Sequence, residues 1–555
     1  MIPQHKKTGR LQLVFLLLLV AATIGVRATA WTLWHPTSIE EEGAEYARIA
    51  ENLKNGLGYV GINFPDTELI FPPLFPLLIA AASTITHNYE TAARVVSFVF
   101  SALLPLAVFG VTRRLFDNRT AIVAAILTVL YPLFVALSIS TYSEGIYATL
   151  LLTCVYQVLR AFDHPCTKNW LLVGLIFGIS YLLRQEAFLP LLIAIFFSLF
   201  VRDTTPRVKI KHAVVAMAAF FILAAPEVIL LYKTTGKLQL EGKSAFNYAI
   251  GIRTLDGLSG SKSEDEFDDS VNRAVYSIDD NLKGTGIAMR PNAEIVRETR
   301  ILPKDLVRFE RVAFIRNIPT MLSQFSAKWL GAPFLPALAF LGVFCRPLRK
   351  QMALSQLFFL VIPVTTVLAT FSIIHAIYPR YYFILVPFLM IWAANGLAEV
   401  ARWTNSSLAA TFRWRAPIFG VALSGVMAIA MLGLALKGTK DLYIFKASFS
   451  DGESLKDAGL WIRHHEIRKV RIMTLASPLA FHADADLVHF PYCDSQRALQ
   501  FADAQQVDYI VLSPGERFTG YYGDWLQHGV PDAELVYSSP ASPNQVLVFR
   551  RHRNG

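Results

Sequence analysis

The chain has 555 residues, of which 54% are hydrophobic and 17% charged, and its mean hydropathy is +0.42. A soluble protein of this size carries roughly 25% charged residues, and the apolar residues fall in blocks of roughly 20, the length that crosses a hydrocarbon core, so a wholly soluble class is excluded. The net charge of +10 sits in short gaps between apolar blocks, as orientation signals do, and this excludes a nucleic-acid surface as its explanation.

The first apolar block follows Lys6, Lys7 and Arg10, is long and lacks a cleavage site, and reads as a retained helix. With it, the blocks 11–32, 91–111, 120–138, 146–161, 170–184, 187–201, 212–232, 328–345, 354–375, 382–401 and 417–436 predict a polytopic α-helical membrane protein of about eleven transmembrane helices. Short connections holding Arg113, Arg114 and Arg119, or Arg202, Arg207, Lys209 and Lys211, are basic and face the cytoplasm with the N-terminus. The long segments 33–90 and 233–327 and the tail then face outward. This divides the chain into a membrane part, 1–436, and an extracytoplasmic domain, 440–555.

In the first outer loop, Tyr46, Ile49, Ala50 and Leu53 recur at helical spacing and predict an amphipathic helix on the membrane surface. Phe71 to Ala82, opening with Pro72 and Pro73, predicts a half-inserted or interfacial helix. The segment 255–310 is highly charged and reads as a loop with short helices. In the tail, helices at Leu455–His464 and Ser495–Ala504 alternate with strands at Val470–Leu475 and Val507–Leu512. A final hairpin pairs Glu534–Ser538 with Gln545–Phe549, giving a small α/β domain. Cys154, Cys166, Cys345 and Cys493 form neither a disulfide framework nor a zinc spacing.

Chemistry concentrates just outside the first helix, in the run Thr37 to Tyr46. Ser38 with Glu41 three residues later makes a capping box, and Glu40 suits the helix dipole. Glu42 lies four residues before Tyr46 and seven before Ile49, on the stripe that faces protein or lipid. A carboxylate there is partly desolvated, which raises its pKa and suits general-base work; the alternative is a structural role. Glu41 is the second candidate. Glu144, in the outer turn between the third and fourth spans, either holds a sugar hydroxyl or a metal, or starts a helix.

Arg184 and Glu186 split a long apolar stretch. They pair with each other, mark a turn, or place Arg184 at the outer surface to bind a phosphate. The run His375 to Tyr382 offers Arg380, whose fork matches phosphate oxygens, beside Tyr381 and Tyr382, which fit the interfacial aromatic belt. Lys233, Lys237 and Lys243 add positive charge. No Walker loop, dinucleotide glycine pattern, His/Cys metal cluster or nucleophile elbow is present. No cofactor is therefore indicated, and a divalent metal is possible but has no motif.

Glu42, Tyr46, Ala50, Asn52 and Leu53, then Gly56-Leu57-Gly58-Tyr59, Phe71-Pro72-Pro73-Leu74-Phe75-Pro76, Arg113-Arg114-Leu115-Phe116, Ser143-Glu144, the segment Gly174 to Glu186 and Pro379-Arg380-Tyr381 occur in order. In these features the chain resembles the GT-C superfamily, specifically its protein O-mannosyltransferase and aminoarabinose transferase group. The resemblance covers nearly the whole chain. It implies a metal-optional, inverting transfer of sugar from a polyprenyl-phosphate donor on the outer face of a bacterial inner membrane, to an acceptor lipid, glycan or protein. By position Glu42 would be the base, and Arg184 and Arg380 would stabilise the departing phosphate. The family often carries Asp where this chain has Glu42, and the extra methylene lets the role pass to Glu41. The C-terminal domain would help select the acceptor. Two other readings are a transporter or flippase of lipid-linked sugar and a non-catalytic scaffold. The absence of an internal repeat speaks against the first, and the placement of Glu42, Arg184 and Arg380 against the second.

Overall fold

The computed structural model describes residues 4–64, 66–202, 204–257, 264–312, 318–319, 330–331, 333–344, 352–371, 383–412, 418–439, 452–516, 518, 520–540 and 545–552. Ten helices run to the end of the second basic connection and beyond: α1 Gln4–Trp34, α2 Glu41–Lys54, α3 Leu74–Thr86, α4 Tyr89–Leu115, α5 Asn118–Leu130, α6 Pro132–Ser138, α7 Glu144–Asp163, α8 Thr167–Leu183, α9 Phe188–Ser198 and α10 Pro206–Thr235. The second long loop carries α11 Lys243–Gly257, α12 Glu264–Tyr276, α13 Asn292–Glu298 and α14 Pro303–Val312. Apolar helices return as α15 Phe334–Phe344, α16 Ala353–Phe371, α17 Val386–Phe412 and α18 Ile418–Thr439.

Every predicted span that falls on described residues meets an apolar helix, but the count of about eleven is not reproduced by length. Among the described residues six helices are long and apolar enough to cross a membrane, and the bent pair α5–α6 makes a seventh. The block 120–138 was expected as one span. It breaks at Tyr131-Pro132 with a bend of 57°. Pro132 has no N–H to continue the ladder and pushes Tyr131 into extended backbone, φ −69°, ψ 119°. Helix starts elsewhere are locally encoded: Asn88 accepts from Thr91 N at 2.8 Å and Asp117 from Thr120 N at 2.8 Å. Small residues let α8 and α10 touch, since a Cβ at Gly174 would lie 2.1 Å from the Ala216 carbonyl oxygen.

The first outer loop departs most from expectation. Its helix α2 does not lie on a membrane surface: Gly43 through Ala50 are all buried, with α3 and α4 on one side and the C-terminal domain on the other. The capping box is also absent. The helix begins at Glu41 with Glu40 as N-cap and no side-chain cap bond, while the Ser38 hydroxyl turns to the Ile39 carbonyl. Glu40 is instead buried, accepting from Thr141 N at 2.8 Å and from the Thr141 hydroxyl. Burial on all sides overrides both sequence patterns, because each acid near the helix start finds a donor from another segment.

Gly43 is the close approach that allows this lock, as a Cβ there would lie 1.8 Å from Thr141 Oγ1 and 2.6 Å from Thr141 Cβ. The expected result for Gly43→Ala is a loss of about 1–3 kcal/mol of stability, the usual cost of overpacking, read as a lower melting temperature of the purified protein. Unchanged melting would show that the Glu40–Thr141 lock tolerates displacement.

The tail folds as helices α19 Gly452–His465, α20 Ser477–His482, α21 Ser495–Ala504 and α22 Tyr521–His528 around strands β1 Arg471–Met473, β2 Asp486–Val488, β3 Tyr509–Leu512, β4 Ala533–Ser538 and β5 Leu547–Arg551. The sheet order is β2-β1-β3-β5-β4. The first three strands are parallel, and β3, β5 and β4 are antiparallel neighbours. The expected α/β alternation and final hairpin are present, and β2, only 3 residues long, is an addition.

This domain sits against both long loops. Arg48 of α2 pairs with Asp484 at 2.6 Å, Lys456 with Glu90 at the start of α4 at 3.0 Å, and Tyr492 N donates to the Tyr276 carbonyl at 2.8 Å. The three segments assigned to one side of the membrane by charge are therefore gathered at one end of the bundle. At the other end, Arg114 of α4 pairs with Asp163 of α7.

Candidate active site

One turn of helix advances 3.6 residues, so α2 presents two stripes about 100° apart. Glu41, Glu45, Arg48 and Asn52 make one and Glu42, Tyr46, Ile49 and Leu53 the other. The first faces the C-terminal domain and its neighbouring loop. Glu41 accepts from Ser477 N at 3.1 Å, Glu45 accepts from Ile62 N and Asn63 N at 2.7 Å each, and Arg48 meets Asp484. The second faces the bundle. Tyr46 lies 3.5 Å from the Ser143 hydroxyl, with its ring edge-on to Phe71 and Phe75. Glu42 stands 4.0 Å from Lys243 Nζ.

Lys243 opens α11 and lines a cavity of about 260 Å3 at the ends of α7, α8, α9 and α16. Arg184, just past the end of α8, is largely buried in its wall, 3.2 Å from Glu144 and 3.2 Å from Glu186 and 5.5 Å from the centre of the Tyr147 ring. The second oxygen of Glu144, Oε2, and the Tyr147 hydroxyl are both buried with no hydrogen-bond partner. A buried polar atom left unpaired costs roughly 1–3 kcal/mol, so two of them lining one cavity mark a place shaped for a polar ligand. Tyr181, Gln185 and Glu241 complete the polar lining. Thr366, Ala369 and Ile384 contribute from the far side.

The sequence-predicted residues divide into groups. Glu144, Arg184, Glu186 and Lys243 line one cavity, with Glu42 at its edge. Glu41 does not join them, because it is turned to Ser477 on the other stripe. His375, Arg380 and Tyr381 lie outside the described residues, while Ala369 and Ile384 on either side of that segment both line the cavity. Tyr147 was not anticipated, although it lies three residues after Glu144 and so shares its helix face. Glu241 and Tyr181 gave no sequence signal, being brought in by the Tyr181 hydroxyl bond to the Leu240 carbonyl. Among the described residues no group of three or more His, Cys, Asp and Glu is placed to hold a metal ion.

Burial pushes the Glu41 carboxyl up to about 8, with the charge of Glu516 adding to it and the Ser477 N–H opposing it. A carboxyl raised from 4.5 in the unfolded chain to about 8 in the folded one takes up a proton on folding between those values. Stability contributed by the protonated form is complete at low pH and is lost as pH rises through that window. The melting temperature is therefore expected to fall from pH 6 to pH 9, and to fall less in Glu41→Gln, by roughly 2–4 °C at the alkaline end. Parallel curves for the two proteins would remove Glu41 as the titrating group. Glu45, raised by burial to about 7, leaves part of the dependence in the variant.

A cavity at the end of the bundle, capped by two outer loops and a tail domain, is an arrangement whose fold the chain shares with solved structures of the GT-C class. Residues 71–230, from just before α3 into α10, match the family of dolichyl-phosphate-mannose-protein mannosyltransferases. The chain is similar in structure to ArnT from Cupriavidus metallidurans bound to undecaprenyl phosphate, at 12% identity and TM-score 0.57, over 96% of this chain and 98% of that one. It is also similar to the oligosaccharyltransferase of Archaeoglobus fulgidus in its apo form, at 14% identity and TM-score 0.56, over 90% and 69%. The complex of the Archaeoglobus fulgidus oligosaccharyltransferase AglB with an inhibitory peptide and a dolichol-phosphate is similar at 14% identity and TM-score 0.56, over 92% and 70%. No curated protein sequence matches the chain significantly.

Proposed function

We propose that the protein is a membrane glycosyltransferase that moves a sugar from a polyprenyl-phosphate donor to an acceptor hydroxyl on the outer face of a bacterial inner membrane, with inversion. The observation that carries this reading is the convergence of Arg184, Lys243, Glu42 and the unpaired Glu144 and Tyr147 atoms on one cavity. The Cupriavidus metallidurans neighbour binds undecaprenyl phosphate and the AglB complex dolichol-phosphate, which supports a lipid-phosphate donor here.

Arg184 and Lys243 hold the donor phosphate, and Glu144 Oε2 and the Tyr147 hydroxyl bind sugar hydroxyls. The acceptor oxygen attacks the anomeric carbon from the face opposite the phosphate. Glu42 takes the acceptor proton, the bond from the anomeric carbon to the phosphate oxygen breaks, and its electron pair leaves with the polyprenyl phosphate. Negative charge growing on that oxygen is met by the two cations. A phosphate drawing on Lys243 also loosens the Lys243–Glu42 contact. Arg380 adds a further phosphate ligand on the resemblance.

The test is purified protein in liposomes loaded with an extract of labelled polyprenyl-phosphate sugars and a membrane glycan, lipid and protein acceptor pool. Label appearing on acceptor, with polyprenyl phosphate released in equal amount, is the expected outcome. Label that changes leaflet while staying on its carrier would instead make the protein a flippase.

A further inference from the structure

A second hollow, about 540 Å3 and larger than the first, lies where the first outer loop, the second outer loop and the C-terminal domain meet. Its size is in the range of small-ligand sites, roughly 300–1,000 Å3. The first stripe of α2 reaches it through Arg48 and Asn52, and so do Ile62 and Asn63, whose N–H groups hold Glu45. It therefore adjoins the proposed active site across α2 without being part of it.

Four cations line it, Arg48, Arg290, Lys469 and Arg471, against the single acid Asp486. They are not equally committed. Arg48 is held by Asp484 and Glu51, Arg290 by Glu294 and Glu298 and Lys469 by Asp486 at 2.6 Å. Arg471 spends its guanidinium on a neutral group, the Gln505 carbonyl at 2.7 Å. Beside them, Nη2 of Arg48 is buried without a hydrogen-bond partner, and the buried His489 ring meets the Asn63 backbone. An unmet group of this kind in a cavity wall calls for a ligand or an ordered water.

Burial pushes the His489 pKa down to about 4, against a hydrogen bond to the Asn63 backbone, so the ring is neutral and its second nitrogen is left as an acceptor. A sugar hydroxyl can donate to it. Arg471, engaged by the neutral Gln505 carbonyl, matches a carboxylate, and Lys469 joins it by exchanging Asp486 for the ligand. Leu57, Phe64, Met289 and Phe501 give apolar surface against which the C–H face of a pyranose packs.

We infer that this hollow binds an acidic saccharide, the segment of an acceptor glycan remote from the hydroxyl that reacts. The word acceptor rests on the glycosyl-transfer reading above; the binding of an acidic sugar does not. The C-terminal domain thereby acts as one jaw of an acceptor clamp, with the two outer loops as the other.

The experiment titrates the full-length purified protein with trigalacturonate and, separately, with neutral maltotriose, by calorimetry at physiological ionic strength. A double variant, Lys469→Gln with Arg471→Gln, is titrated alongside. Both residues are on the surface, and an unchanged melting temperature verifies that the variant folds. The expected result is saturable binding of trigalacturonate, weaker binding of maltotriose, and a loss of at least about tenfold in trigalacturonate affinity in the variant, the effect of removing charged hydrogen bonds. No binding of trigalacturonate, equal binding of the two sugars, or equal affinity in variant and wild type would overturn the inference. Transfer from the polyprenyl-phosphate pool is measured on the same preparation. Transfer without trigalacturonate binding removes the clamp and keeps the enzyme, whereas binding without transfer keeps an acidic-saccharide site and removes the enzyme.

Discussion

Glu42→Gln is expected to reduce sugar transfer by roughly 10²–10⁴-fold, the range over which general-base catalysis acts, while polyprenyl phosphate still binds. Gln keeps the shape of Glu42 and its place on the inward stripe of α2 but cannot accept a proton from the acceptor hydroxyl. The loss should therefore fall on turnover and leave donor affinity nearly intact. Transfer at undiminished rate in E42Q would assign the base elsewhere. Glu41 is then a poor substitute, because it is turned toward Ser477, and Glu144, already inside the cavity, becomes the residue to change next.

Arg184→Gln is the second large effect. In the wild type its guanidinium bridges Glu144 and Glu186 at 3.2 Å each. Its removal takes away a phosphate ligand and leaves two carboxylates facing the donor phosphate without their shared cation. Loss of one preorganised group opposite developing charge costs about 10²–10³ in rate, and here donor affinity should fall with it, unlike in E42Q. Breaking a buried ion pair also costs about 3–5 kcal/mol of stability. The double change Arg184→Gln, Glu186→Gln, which removes one partner carboxylate and leaves Glu144 in place, therefore serves as the partner control, recovering part of the stability but not transfer. Recovery of transfer in the double variant would make Arg184 a structural counter-ion and nothing more.

Much of this protein was readable from its residues. Apolar blocks of spanning length located the helices, a signal that comes from the membrane itself, and the long segments that the basic connections grouped together do meet at one end of the bundle. The tail's strands were legible where β-branched and aromatic residues run together, as at Tyr509 to Leu512. Of four cavity residues named from the sequence, Arg184 and Glu186 stood out because charge within an apolar stretch is costly enough to need a partner, Glu144 as an acid in an outer turn, and Lys243 as part of a cluster of lysines after a span.

What the sequence did not disclose was tertiary. Helix α2 has an amphipathic pattern, yet Gly43 to Ala50 are buried all round, because the C-terminal domain, more than 400 residues further along the chain, covers the face that looks polar. The same long-range contact diverts Glu41 to Ser477, and a separate one, from the turn before α7, replaces the capping box by the Glu40–Thr141 lock. The break at Tyr131-Pro132 was visible as a proline but not as a bend, since a proline inside an apolar run is often absorbed by neighbouring helices. The hollow around His489 draws its wall from three distant segments, and no local pattern can report such a meeting.

The most direct measurement is a structure of the full-length protein with polyprenyl phosphate added. The account predicts phosphate density in the cavity between Arg184 and Lys243, within hydrogen-bonding reach of both, with the lipid chain leaving past Thr366 and Ala369. Phosphate bound elsewhere, with Arg184 still closed between Glu144 and Glu186 and Lys243 beside Glu42, would contradict it.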